Sequence, residues 1–302
     1  MTTAKPLVGL LYNPAVPIVL DTIGNRVDFV EVIPDRLWYD FGVGTRNRFS
    51  HVHDAITALK RYAEERAVIG HGIGLSLPSA MPLDEELLDE VVSSHRALGY
   101  RWYSEHLSMF LVPNHSVPNA QAGMGLPVVL SDETLELVSQ KVRTLQQALG
   151  TRVLMENGTI FSAVPEPDMS EPEFFNRLYA ESGAGMLLDL HNLYANSINL
   201  GISAEQYLAQ LNPDIVGEIH LAGGDYLKGH YTDSHSRPTP DPVWELAHKW
   251  APRFPNLAGI TYEYHESYHK RLGLDGIERE LELMHDLAEK VALARSTPVG
   301  AC

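Results

Sequence analysis

The chain has 302 residues, 44% hydrophobic and 21% charged, with a net charge of -16, so it can bury one large core while staying far from neutrality. That acidity works against an unassisted grip on phosphate backbones, and no apolar run is long enough to span a bilayer or act as a secretory signal, so a cytoplasmic protein without nucleic-acid or membrane partners is expected. The only cysteine is Cys302, which excludes an intramolecular disulfide and a Cys-rich metal site; any metal must be held by nitrogen and oxygen.

Eight apolar runs read as buried strands. In chain order they are LVGLLYN (Leu7 to Asn13), VDFVEVIP (Val27 to Pro34), VIGHGIGLSL (Val68 to Leu77), YRWYSEHLSM (Tyr100 to Met109), RVLMENG (Arg152 to Gly158), GMLLDLHN (Gly185 to Asn192), IVGEIHLAG (Ile215 to Gly223) and ITYEYHES (Ile260 to Ser267). Near-continuous hydrophobicity marks strands covered on both faces, hence a parallel sheet. Helical patterns lie between most of them, at His51 to Glu65, Asp84 to Leu98, Asp132 to Leu149, Glu171 to Glu181, Ala204 to Leu211, Pro242 to Trp250 and Gly276 to Leu293. Ser131, Ser170 and Ser203 stand just ahead of three of these, where a hydroxyl can accept from a free helix amide. The connection between the first two strands is the least defined. Eight strand-helix units are the count of an α/β fold of the closed (β/α)8 kind, a TIM barrel, here one domain over residues 1–302.

Three long stretches without a pattern, Pro34 to Ser50, Val112 to Leu130 and Gly223 to Pro242, each follow a strand, where a barrel keeps its functional loops. The strand ends carry the chemistry. His71, His106, Glu156, Asp189, His220 and Glu263 fall near the carboxyl ends of strands three to eight, so successive strands deliver six potential ligands to one opening. A buried charge costs several kcal/mol unless compensated, and a bound cation offsets that cost. Three imidazoles and three carboxylates suit two divalent first-row metals, with iron, manganese and zinc all chemically reasonable. Beside them Asp233 and His235 could join Asn192 around another metal; a surface turn with a hydrogen-bonded Asp-His pair explains the same spacing.

Other polar residues have plainer readings. Glu31 and Glu105 either orient ligands from behind or pair with an arginine. Strand alternation sends His191 to the side opposite Asn192, which makes it a packed or supporting histidine. His51, His53 and His95 fall on predicted helices as surface residues, while His265 is allowed to face inward and stays unassigned, as does His269. GAGMLLD has glycines but no phosphate-loop spacing, so no nucleotide cofactor is expected.

HGIGLSL at His71, SEHLSM at His106, MENG at Glu156, LLDLHNLYANSIN at Asp189 and Asn192, EIHLAGG at His220, DSHS at Asp233 and His235, and TYEYHES at Glu263 together resemble the multinuclear non-haem iron family that includes the methanobactin biosynthesis protein MbnB and the peptide-modifying TglH and ChrH proteins. The resemblance implies a xylose-isomerase-like TIM barrel with two or three irons at its mouth, in a mixed-valence Fe(II)/Fe(III) state. It assigns His71, His106, Glu156 and Glu263 to one iron, Glu156, Asp189, His220 and Glu263 to its neighbour, and Asn192, Asp233 and His235 to a third. It departs at one place: the family often has D-x-N-N after the sixth strand, and this chain has Asp189-Leu190-His191-Asn192.

The resemblance further implies oxidative modification, with dioxygen, of a residue of a ribosomally made precursor peptide, usually cysteine and otherwise another C-terminal residue. A separate leader-binding partner is expected, since the chain has no spare length for such a domain; no catalytic residue beyond the metal ligands is singled out. Two rivals stay open: a divalent-metal sugar isomerase or phosphoesterase on the same barrel, and a non-catalytic scaffold that binds metal and peptide.

Overall fold

The computed structural model describes residues 5–112, 120–162, 164 and 167–296. Cys302 and residues 113–119 of the second long loop lie outside them. Eight parallel strands close into a barrel: β1 (Leu7–Leu11), β2 (Phe29–Val32), β3 (Ala67–Gly72), β4 (Tyr103–His106), β5 (Val153–Glu156), β6 (Gly185–Asp189), β7 (Val216–Ala222) and β8 (Gly259–Glu263). Each pairs with its sequence neighbours, and β1 pairs with β8 to shut the ring. Around it run α1 (Val16–Ile23), α2 (His53–Glu65), α3 (Glu85–Leu98), α4 (Asp132–Leu149), α5 (Glu171–Ser182), α6 (Leu190–Leu200), α7 (Ala204–Gln210), α8 (Asp241–Trp250) and α9 (His269–Ser296), the last broken at Gly273.

The fold is the expected TIM barrel, with shorter strands than the apolar runs. Two helices escaped the sequence reading. The connection between β1 and β2 is α1, and the sixth run stops at Asp189 because α6 begins at the next residue. The three patternless loops also hold order: each contains an antiparallel hairpin, pairing Trp38–Asp40 with Phe49–His51, Met109–Val112 with Ala120–Leu126, and Asp225–Leu227 with His230–Thr232. The serine caps form as expected, with Ser131, Ser170 and Ser203 accepting from Thr134, Glu173 and Gln206 amides.

Side chains alternate between two cores. Val68, Val153, Met155, Met186 and Leu188 point outward into the layer between barrel and helices. Their neighbours Phe29, Ile69, Trp102, Leu154 and Leu187 point inward and form an apolar floor across the barrel. The period of two then fixes what lies above that floor. Two residues on from Phe29 is Glu31, from Ile69 is His71, from Leu154 is Glu156 and from Leu187 is Asp189. Along β4 the inward set runs Trp102, Ser104, His106. A dry floor and a polar layer above it are thus one consequence of strand geometry.

Candidate metal centre

All six strand-end residues converge at the carboxyl end of the barrel. His71, Glu156, Asp189, His220 and Glu263 are buried and His106 nearly so. The Nε2 atoms of His106 and His71 lie 3.0 and 3.4 Å from Glu156 Oε2. His220 Nδ1 lies 3.2 Å from Glu263 Oε2 and 3.9 Å from Glu156 Oε1. Two groups have ligand atoms all within 4.8 Å of one another, His71 with His106 and Glu156, and Glu156 with Asp189 and His220. Glu156 belongs to both.

Each imidazole is held by one nitrogen and presents the other. His71 Nδ1 meets Ser104 Oγ at 2.8 Å, and that hydroxyl donates to the Gly70 carbonyl, so the ring donates to Ser104 and keeps a lone pair on Nε2. His106 Nδ1 donates to the Gly72 carbonyl at 3.2 Å, which again frees Nε2. His220 Nε2 contacts Glu31 at 3.0 Å, leaving Nδ1 to face Glu156 and Glu263. A carboxylate behind a histidine is how metal-binding imidazoles are commonly oriented and made more basic. Glu31 therefore supports a ring, as one of its two readings had it, and no arginine among the described residues pairs with it. It also forms a third convergent group with His71 and His220, which the sequence reading did not find.

Asp189 has a double role set by local helix geometry. It is the N-cap of α6, and its Oδ1 accepts from the Asn192 amide at 2.7 Å. Its Oδ2 is buried without a hydrogen bond, as are Glu31 Oε2, Glu156 Oε2 and His220 Nδ1. Such orphans are rare in folded proteins because each forfeits its hydration. The histidine contacts of Glu156 are close yet lack hydrogen-bond geometry, which is the pattern left when ligand atoms aim at a shared point rather than at each other. The donor set, all imidazole nitrogen and carboxylate oxygen, fits a divalent first-row metal such as iron.

Burial, reinforced by the neighbouring imidazoles, holds His71 well below the ordinary histidine range, and burial lowers His106 as well, so both rings are neutral and ready to ligate. His220 goes the other way: burial opposes its charge, but Glu31 and Glu263 outweigh it and raise the ring well above its usual value. Burial pushes Glu156 well up, and pushes Asp189 up to about 7 with help from the Asp233 and Glu263 charges. Below them, Glu218 is pushed up to about 8 by burial and by Glu31, and accepts from Trp102 Nε1 and Thr261 Oγ1 at 2.7 Å each. Protons are held here where a cation would otherwise balance the carboxylates.

The second cluster adjoins the first. His235 Nε2 lies 2.9 Å from Asp233 Oδ1 and 3.4 Å from Glu263 Oε2, so the hydrogen-bonded Asp-His pair is real and also touches the main group. His235 adopts a left-handed backbone with φ of 50°. That conformation costs about 1 kcal/mol for a side chain of this kind. It is held by the His265 amide, which donates to the His235 carbonyl at 3.0 Å. Asn192 reaches the site from the first turn of α6; its Nδ2 donates to Glu156 Oε1 at 3.3 Å, and its Oδ1 accepts from the Thr159 hydroxyl.

His191 is on α6 and not on a strand, so the alternation that placed it does not apply. It is fully buried behind the loop, with Nδ1 2.9 Å from Asp233 Oδ1 and Nε2 3.2 Å from the Tyr231 hydroxyl. The loop can come this close because of glycine: a Cβ on Gly224 would lie 3.0 Å from His191 Nε2 and would run into the Thr232 carbonyl oxygen across the hairpin. Glu105 faces out of the barrel and accepts from Tyr103 at 3.0 Å, which overturns its arginine pairing. Asp225 pairs with Arg237 at the surface, and His230 is exposed. His51 ends a hairpin strand rather than lying on a helix, and contacts Glu90 at 2.7 Å. His53 is exposed at the start of α2, and His95 on α3 is half-buried rather than on the surface. His265 contacts Glu266, outside the group.

Fold and site define a TIM barrel with a candidate metal-binding mouth. The family described as RiPP precursor modification enzyme MbnB/TglH/ChrH matches residues 8–272, and the chain belongs to that family. It is 37% identical over 198 residues to a UPF0276 protein of Chromobacterium violaceum, covering 63% of this chain and 67% of that one. Over 220 residues it is 32% identical to a UPF0276 protein of Rhizorhabdus wittichii, covering 73% of each chain. Among solved structures it is similar to a xylose isomerase domain protein from Planctomyces limnophilus, with TM-score 0.57, 14% identity, and 96% and 99% of the two chains covered. D-psicose 3-epimerase from Clostridium cellulolyticum H10, solved with D-tagatose, gives TM-score 0.56, 11% identity, and coverage of 98% and 100%. At such identities these two show the barrel alone.

Proposed function

We propose that this chain is an iron- and dioxygen-dependent oxidase or oxygenase that modifies a residue of a ribosomally made precursor peptide, a cysteine or another C-terminal residue. The carrying observation is the sharing of Glu156 between two convergent groups in which Glu156 Oε2, Asp189 Oδ2 and His220 Nδ1 are buried without a hydrogen bond. Membership of a family of RiPP precursor modification enzymes supports the peptide substrate. When bound, iron supplies one-electron chemistry with dioxygen and an acceptor for a substrate thiolate or carboxylate.

In this reading His71, His106, Glu156 and Glu263 hold one iron, and Glu156, Asp189, His220 and Glu263 its neighbour. Asn192, Asp233 and His235 hold a third. Ser104, the Gly72 carbonyl and Glu31 fix the tautomers of the three strand imidazoles, while the floor of Phe29, Ile69, Trp102, Leu154 and Leu187 closes the barrel to water from below. The chain acts as one barrel domain in the cytoplasm with a separate leader-binding partner, because a flexible peptide loses entropy on ordering and a tethered leader raises the local concentration of its reacting end. No helix among the described residues is long and apolar enough to cross a membrane.

The test is oxygen uptake together with peptide mass change, with and without the partner encoded beside the precursor. Iron- and peptide-dependent uptake that rises with the partner is expected. Sugar isomerisation or phosphoester hydrolysis with zinc or magnesium under nitrogen would establish the rival barrel chemistry instead, and an intact peptide after long incubation with iron, oxygen and partner would leave only a scaffold.

A further inference from the structure

We propose that a cavity beside the metal centre binds an apolar segment of the substrate peptide, two or three residues long, next to the residue that is modified. The identity of the occupant rests on the peptide-modifying reading above. The cavity measures about 430 Å³ and is walled by Leu107, Val128, Leu130, Ile160, Met169 and Tyr207 among others. That is the size of a site for a small organic ligand or a short peptide segment and larger than one side chain needs. No Lys, Arg or His lines it among the described residues, so it is not built for phosphate or another strong anion.

Its wall is shared with the metal centre. Leu107 follows His106 directly, and Thr159, which lines the cavity, donates its hydroxyl proton to Asn192 Oδ1. The Ile160 amide donates to Asn196 on α6 at 2.7 Å, which ties the same loop to the helix that begins at Asp189. A chain lying in the cavity is thereby delivered to the Asn192 side of the site. Apolar surface also continues outward: Val129, between two lining residues, is 47% exposed, and Met124 on the adjoining hairpin is 49% exposed. A compact ligand has no use for that strip, whereas an extended peptide leaving the cavity runs along it. Glu171 and the Tyr207 hydroxyl, the latter buried without a hydrogen bond, are polar groups in a mostly apolar lining, which suits a peptide amide; burial pushes the Glu171 carboxyl up to about 7.

The experiment uses metal-free full-length protein, so that its outcome does not depend on iron. Binding of N-acetyl-Leu-Phe-amide and of N-acetyl-Ser-Gln-amide is measured by calorimetry and by NMR titration. Two variants fill the cavity from a half-buried and an exposed position, Ile202→Trp and Gln206→Trp. The apolar probe is expected to bind at least about tenfold more tightly than the polar one, and to lose at least about tenfold in both folded variants while their iron uptake stays unchanged. Equal binding of the two probes, undiminished binding in a folded variant, or no binding of the apolar probe up to about 20 mM would overturn the proposal. Selective binding without any iron-dependent oxygen uptake would keep the cavity and remove the oxidase reading; the reverse pattern would keep the oxidase and remove the cavity.

Discussion

Replacing Glu156 by Gln separates metal binding from folding. In the metal-free protein burial holds the Glu156 carboxyl well above its usual range, which favours its protonated form, and a neutral amide of the same shape substitutes for that form. Stability without metal should then stay within about 0.5 kcal/mol of wild type. A metal needs the ionised carboxylate, and Glu156 is the one residue common to the His71–His106 and Asp189–His220 groups, so affinity at both should fall together. Disturbing even the support of a metal ligand costs about 10- to 100-fold in affinity, and the upper figure is the appropriate one here. With free Fe(II) at about 100 times the wild-type dissociation constant, linkage stabilises wild type by about 2.7 kcal/mol; a 100-fold weaker site leaves about 0.4 kcal/mol. Anaerobic denaturant unfolding with and without Fe(II) reads both numbers. A variant that gains the full wild-type increment, or one destabilised by more than about 1 kcal/mol without metal, would refute the reasoning, the second because it would make Glu156 an ionised structural partner of His106.

The outer cluster should behave separately: Asp233→Asn is expected to lower bound iron by about one equivalent and leave the inner pair, by elemental analysis, whereas equal loss of all iron would show one inseparable site. Truncating the barrel floor with Leu154→Ala should cost about 2 to 5 kcal/mol in denaturant unfolding, since Leu154 is 1% exposed; a cost below about 1 kcal/mol would mean the floor is loosely packed. A pH effect comes from Glu280 on α9, whose carboxyl is pushed up to about 7 by burial. Its proton is bound more tightly folded than unfolded, so its contribution is present at pH 5 and lost as pH rises toward 8, a swing of about 2 kcal/mol. Glu280→Gln should remove that swing, and an unchanged pH dependence of unfolding would place the effect elsewhere.

The strand runs and the six strand-end ligand candidates were legible because a parallel barrel strand is buried on both faces and ends at the mouth. The carboxyl end of every strand run was overextended, since apolar residues continue past the last ladder hydrogen bond into the loops, as Leu75 and Leu77 do after β3. The helix α6 was hidden because Asp189 ends a strand and caps a helix at once, so LLDLHNLYA reads as one run; the aspartate accepting from Asn192 three residues on was the available signal. That error also put His191 on a strand, whereas it lies on α6, buried against Asp233 and Tyr231 as a packed, supporting histidine. Glu31 stood in the sequence between orienting a ligand and pairing with an arginine, and the register of β2, two residues above Phe29, turns it toward His220. The hairpins were invisible as patterns because their strands are three to seven residues long and few of their described side chains are buried.

The most direct measurement is the metal content of protein made in iron-sufficient cells and purified without oxygen, read by elemental analysis alongside activity after iron removal. The account predicts two to three irons per chain, little zinc, and loss of activity with the iron. Stoichiometric zinc alone, with activity indifferent to iron removal, would contradict it.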